Sequence, residues 1–133
     1  MVNHVGKDKA AVASECVEYV LKCSQEAIEE KGVFNVAISG GSLPTILALA
    51  VETLKSGADV SKWHVFFSDE RCVPLDHEDS NYKVVMGALL IPLGVPISQI
   101  HALEFQGSTQ DMARNYETRL RHHFQNQVAH LKI

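Results

Sequence analysis

The residues best suited to chemistry fall in two short stretches. In the first, Ser39, Gly40, Gly41 and Ser42 follow the apolar run of Val33, Phe34, Val36, Ala37 and Ile38 and precede helix formers from Leu43 to Leu54. A strand, a glycine turn and a helix start together suit an anion. Glycine lets the backbone approach a ligand, and a helix start has unpaired N–H groups to offer. Two serine hydroxyls add donors, and phosphate is the natural guest. The alternative is a plain tight turn. The spacing matches neither GxGxxG nor GxxxxGK[ST], so the dinucleotide fingerprint and the P-loop do not apply.

The second stretch is Asp69, Glu70 and Arg71, directly after the apolar run WHVFFS. Arginine brings a planar, permanently charged fork that matches phosphate and carboxylate. Asp69 and Glu70 could orient it, accept bonds from sugar hydroxyls, or act as a base. The alternative is a surface ion pair of little energetic weight.

For both stretches to serve one site, the chain must bring them to one edge. Hydrophobic periodicity predicts a helix over residues 8–31 with Val12, Cys16, Tyr19, Val20, Cys23 and Ala27 inward, stopped at Gly32. A helix over 43–56 carries Pro44 in its first turn and is apolar nearly all round, which predicts burial. Ser80 caps a third helix to Leu90, and Pro92 and Pro96 bracket a turn-rich link. Ser108 and Asp111 form a capping box for a last helix with Met112, Tyr116, Leu120, Phe124 and Val128 on one side. Strands are predicted at 34–39, 64–68 and 99–105. The alternation predicts an α/β fold: a Rossmann-like three-layer α/β/α arrangement with a mainly parallel sheet, in one domain over 1–133. In such a sheet ligands bind beyond the carboxyl ends of the strands, and both stretches sit there.

The formal charge of −4 leaves no basic excess for a nucleic-acid surface. No apolar run is long enough to span a bilayer. Cys16, Cys23 and Cys72 show no CxxC spacing, and their odd number suits a reducing compartment, so a cytosolic location is expected. No metal site is expected. His77, in the loop after Pro74, is the histidine nearest the acidic stretch. His122, His123 and His130 are expected on the wet side of the last helix or just after it.

The blocks SGGSLP at 39–44, SDERCVPLDHEDSNY at 68–82 and PISQIHAL at 96–103 resemble the 6-phosphogluconolactonase family in order and spacing. The resemblance covers essentially the whole chain, and DERxVP followed by D/E-S-x-Y is its most specific element. It implies a cytosolic hydrolase of the oxidative pentose phosphate pathway. Such an enzyme opens 6-phospho-D-glucono-1,5-lactone to 6-phosphogluconate without metal or organic cofactor. Carried over by position, Gly40, Gly41 and Ser42 hold the phosphate end, Arg71 binds an anionic part of the substrate, and Asp69 belongs to the same wall.

The family's histidine base belongs to a later G-x-G-x-D-G-H-x-x-S-L-F-P segment, which is expected beyond Ile133. The chain is thus expected to be an N-terminal half, with an uncovered sheet edge that favours self-association. Two other readings stay open. One is a non-catalytic sugar-phosphate-binding or partner-binding half-domain. The other is an amino-sugar-phosphate deaminase or isomerase of the wider superfamily, against which the DERCVP block argues.

Overall fold

The computed structural model describes residue 3 and residues 5–128, with side chains through residue 125. The chain forms α1 (Lys9–Lys31), β1 (Phe34–Ile38), α2 (Leu43–Ala48), α3 (Val51–Gly57), β2 (Trp63–Phe67), α4 (Asn81–Val85), α5 (Ile91–Leu93) and α6 (Thr109–Val128). A π-helical turn, Met86–Leu90, joins α4 to α5.

β1 and β2 pair in parallel, from Phe34 opposite Trp63 to Ile38 opposite Phe67. Alternation along each strand separates two faces. Phe34, Val36, Ile38, Trp63, Val65 and Phe67 join the main core with Val17 of α1, Leu47 of α2, Leu54 of α3 and the α4–α5 segment. Trp63 is its anchor: fully buried, edge-on to Phe34 at 5.2 Å, with its indole N–H donated to Ser24 Oγ at 2.8 Å. Asn35, His64 and Phe66 lie on the other face, where α6 packs through His123 and Phe124. Helices therefore cover both faces of a parallel sheet, as the alternation of elements predicts.

Caps at Gly32 and Ser108 follow the predicted chemistry, and Asp8 adds one at the start of α1. Asp8 Oδ1 accepts the Ala11 N–H at 2.9 Å, and Gly32 closes α1 at φ 75° with its N–H on Ile28 O. Ser108 and Asp111 cap each other: Asp111 Oδ2 accepts from Ser108 N and Oγ, and Ser108 Oγ accepts from Asp111 N.

Elsewhere the structure departs from the pattern. The third strand, expected over 99–105, shrinks to one parallel bridge between Val65 and Ile100, with His101 N–H on Val65 O at 2.8 Å. The next ladder bond would join Phe67 N–H to the His101 carbonyl. The Tyr116 hydroxyl takes that place instead, accepting from Phe67 N at 2.9 Å and donating to His101 O at 3.0 Å. A side chain from α6 thus ends the strand.

The helix expected over 43–56 breaks in two. Leu49 and Ala50 N–H bond back three residues, to Ile46 and Leu47, and Ala50 leaves the helical region at φ −122°. The bend lets Leu47 and Leu54 both reach the core and leaves Leu49 61% exposed, against the expected burial. The inward face of α1 is centred on Ala13, Val17 and Ser24, so Tyr19 is exposed. Pro92 lies within a helical turn rather than in a link: the widened turn before it accommodates the ring, and Gly94 ends the run at φ 76°.

Candidate functional site

Parallel pairing puts the carboxyl ends of β1 and β2 side by side, and Ser68 N–H on Ile38 O at 3.1 Å carries the pairing one residue further. Residues 39–42 and 68–71 therefore leave the same edge of the sheet. The edge matches the expected one.

Glu70 builds this edge. One carboxylate oxygen accepts Arg71 N at 2.8 Å and Asn81 N at 2.7 Å; the other accepts Tyr82 N at 2.8 Å and Ser80 Oγ at 3.2 Å. Together they ground the N-terminus of α4, which Ser80 Oγ also caps through Lys83 N. This occupation corrects one sequence alternative. Glu70 spends its lone pairs on backbone and hydroxyl donors, and is a clamp rather than a base or sugar ligand.

Asn81, buried beneath the first turn, ties the two stretches together. Its side-chain N–H donates to Asp69 O at 3.0 Å, and a Cβ on Gly40 would fall 2.0 Å from its Oδ1. Gly40 is therefore required for the approach of Asn81. Gly41 has φ 68°, which favours glycine. The N–H groups of Gly40, Gly41 and Ser42 donate to no acceptor among the described residues. Consecutive free amides with one residue at positive φ form an anion-binding concavity. α2 adds less than a long helix would, because it spans six residues and Pro44 removes one donor.

With Glu70 committed, Asp69 and Arg71 remain on the outside. Both are exposed, and the Arg71 guanidinium enters no ion pair among the described residues. A cleft of about 320 Å³ opens beside them, between the end of β2 and α6, with Ser68, Asp69, Leu103, Met112 and Tyr116 in its walls.

His77 is engaged within its own loop rather than held ready as a base. Its Nδ1 accepts Asp79 N–H at 3.1 Å and its backbone closes the turns around it. His130 lies outside the described residues.

A second polar region escaped the sequence reading. His64, His101 and His123 are half-buried together on the α6 face, although His123 was expected in water. His64 Nδ1 lies 3.1 Å from His101 Nε2, and His123 Nε2 lies 2.8 Å from Asn35 Oδ1. The His101 ring stacks flat on Phe66, 4.4 Å away. Burial pushes the His101 pKa down to about 4, helped by His123, His64 and Arg119; burial also lowers His64 and His123. Each shift favours the neutral ring. Residues 35, 64, 101 and 123 form no local motif, so only the register of Asn35 opposite His64 hinted at their meeting. A larger cleft of about 670 Å³ opens here, rimmed by Glu104, Arg119 and His122.

The two regions are separate. His64 precedes Ser68 by four residues, about 13 Å along an extended strand. For an anion the strand-end turns are the better host despite the smaller cleft. They offer amides and a guanidinium without partners among the described residues, whereas Arg119 is already held by Glu104 at 2.8 Å.

Comparison with known proteins agrees with this fold. The family model for glucosamine-6-phosphate isomerases/6-phosphogluconolactonase matches residues 7–133. A rice protein (Oryza sativa subsp. indica) named probable 6-phosphogluconolactonase 3, chloroplastic, is 44% identical over 111 residues, covering 83% of this chain and 34% of its own. A probable 6-phosphogluconolactonase of Schizosaccharomyces pombe is 38% identical over 126 residues, 90% of this chain and 49% of its own. The crystal structure of 6-phosphogluconolactonase from Thermotoga maritima superposes with a TM-score of 0.74 at 25% identity, over 89% of this chain and 52% of that one. The chain thus spans about a third to a half of the length of these relatives. With its strand-end turns and its parallel sheet, this chain belongs to the glucosamine-6-phosphate isomerase/6-phosphogluconolactonase family.

Proposed function

We propose that residues 1–133 are the phosphosugar-binding part of a 6-phosphogluconolactonase, in one domain. The enzyme hydrolyses 6-phospho-D-glucono-1,5-lactone to 6-phosphogluconate in the oxidative pentose phosphate pathway. The supporting observation is the convergence, at one sheet edge, of Gly40, Gly41 and Ser42 amides and an Arg71 guanidinium that have no partner among the described residues. In this reading the amides and the Ser42 hydroxyl hold the phosphate. Arg71 supplies the charged fork, and Asp69 lines the wall toward the sugar hydroxyls.

Lactone opening needs a base to activate water within about 3 Å of the reacting centre. The described histidine cluster is too far from the strand ends, and His77 is engaged in its own turn. We therefore assign the base to the part of the relatives that this chain does not span, and the chain alone is expected to bind without substantial turnover. The DERCVP block favours the lactone over an amino-sugar phosphate.

Calorimetric titration with 6-phosphogluconate tests the reading. Arg71→Ala should weaken binding by roughly 1.5–3 kcal/mol, the range for hydrogen bonds to a charged group. Arg71→Lys should recover only part, since lysine lacks the fork. Equal affinity of the wild-type and Arg71→Ala chains would reject the assignment.

Three free cysteines support a reducing location such as the cytosol, and microscopy of a tagged chain would distinguish it from a plastid. Tyr19, Val36, Leu43 and Leu47 line an apolar groove of about 230 Å³ beside the β1 edge, which supports self-association. Sedimentation should show a concentration-dependent rise in mass; a monomer at all concentrations would exclude it.

A further inference from the structure

We propose that His64, His101 and His123 form a binding site for a divalent transition cation, with Zn²⁺ as the best fit, that pins α6 to the sheet. Each residue offers one ring nitrogen, and the three nitrogens lie within 4.8 Å of one another. The 3.1 Å between His64 Nδ1 and His101 Nε2 is close to the edge of a tetrahedron with metal–nitrogen bonds of about 2.0–2.1 Å. In the metal-free protein these facing nitrogens share one proton. When a cation binds, that proton moves to the other ring nitrogen of the donor imidazole, and the cation accepts both lone pairs.

The ligands come from three separately held segments. His64 is fixed by the β1–β2 ladder. His101 is fixed by its N–H bond to Val65 O and by its stack on Phe66. His123 comes from α6, and the Asn35 carbonyl at its Nε2 favours the tautomer with the lone pair on Nδ1. An oxygen acceptor holding the second nitrogen is the usual support of a metal-binding imidazole. An all-imidazole set suits zinc, cobalt, nickel or copper rather than magnesium or calcium. The cleft reaching His101 and His123 gives an entry path and room for water as a fourth ligand. Of the charges nearby, Arg119 opposes a cation, but Glu104 neutralises it at 2.8 Å. This site is independent of the proposed phosphosugar site.

The test is titration of the metal-free chain with Zn²⁺ by calorimetry and with Co²⁺ by visible absorption. One equivalent should bind, and the cobalt spectrum should show d–d bands without thiolate charge transfer. The melting temperature should rise with added Zn²⁺, because the ligand binds the folded chain. His101→Phe keeps a flat ring against Phe66 but removes a ligand, and His123→Ala removes another. Each should weaken binding by at least about tenfold and abolish the melting shift, while His77→Ala should change neither. Should either variant fail to fold, the ring ¹⁵N resonances of His64, His101 and His123 in the wild-type chain decide, since all three must shift together. The proposal is overturned by no saturable Zn²⁺ binding, by thiolate bands with cobalt, by binding that survives both substitutions, or by unshifted ring resonances.

Discussion

The carboxyl edge of the sheet and its α6 face both gather polar side chains, but they hold them in opposite states. At the edge, one carboxylate is buried in hydrogen bonds so that its neighbours stay open. Glu70 satisfies four donors, while Arg71 and Asp69 face solvent and three amides have no acceptor among the described residues. On the α6 face, polar rings satisfy one another and lose their charge through burial. The first arrangement keeps a charge available to a ligand. The second keeps neutral lone pairs in place. Polarity alone therefore does not identify an anion site; unspent donors and an unpaired cation do.

The largest effect separating the two regions is expected from Glu70→Ala. It strips acceptors from the N-terminus of α4 and from Arg71 N–H, and should cost about 3 kcal/mol in urea unfolding, the upper end for hydrogen bonds to a charged group. Phosphosugar affinity should fall with it, since the turn carrying Arg71 loses its anchor. Unchanged stability would show that Glu70 is not the clamp.

A smaller effect should follow pH. His101 has a folded pKa of about 4 against its ordinary 6.5, and His64 and His123 are shifted in the same direction. Between these values the unfolded chain binds more protons. The stability contributed by the neutral rings is therefore complete above about pH 6.5 and is lost as pH falls toward 4. His122 and the Arg119–Glu104 pair also face this cluster, and partial exposure tempers the loss. Urea midpoints should decline over that window in the wild type and less steeply in His101→Phe. Parallel pH profiles for the two chains would contradict the assignment.

The edge was legible in the sequence because it is built from contiguous residues. A glycine turn after one apolar run and an acidic-basic cluster after another mark it, and local capping chemistry marks Gly32, Ser80 and Ser108. The role of Glu70 was not legible, because its partners lie at residues 80–82 and the choice between clamp and base depends on geometry. The α6 face was hidden for a similar reason. The unbroken Val65-Phe66-Phe67 suggests apolar cover on both faces, yet Phe66 meets imidazoles brought from residues 101 and 123. The third strand failed because Tyr116, read only as a helix-face residue, supplies the hydrogen bonds that would have extended the ladder.

Both regions border a cleft with an arginine nearby, so the direct question is which one takes the phosphosugar. Amide ¹H–¹⁵N spectra of the labelled chain, recorded during titration with 6-phosphogluconate, answer it residue by residue. The account predicts saturable shifts at Gly40, Gly41, Ser42 and Arg71, with Asn81 following, while Arg119, His122 and His123 stay in place. Shifts confined to Arg119, His122 and His123, with the 39–42 turn unmoved, would contradict it.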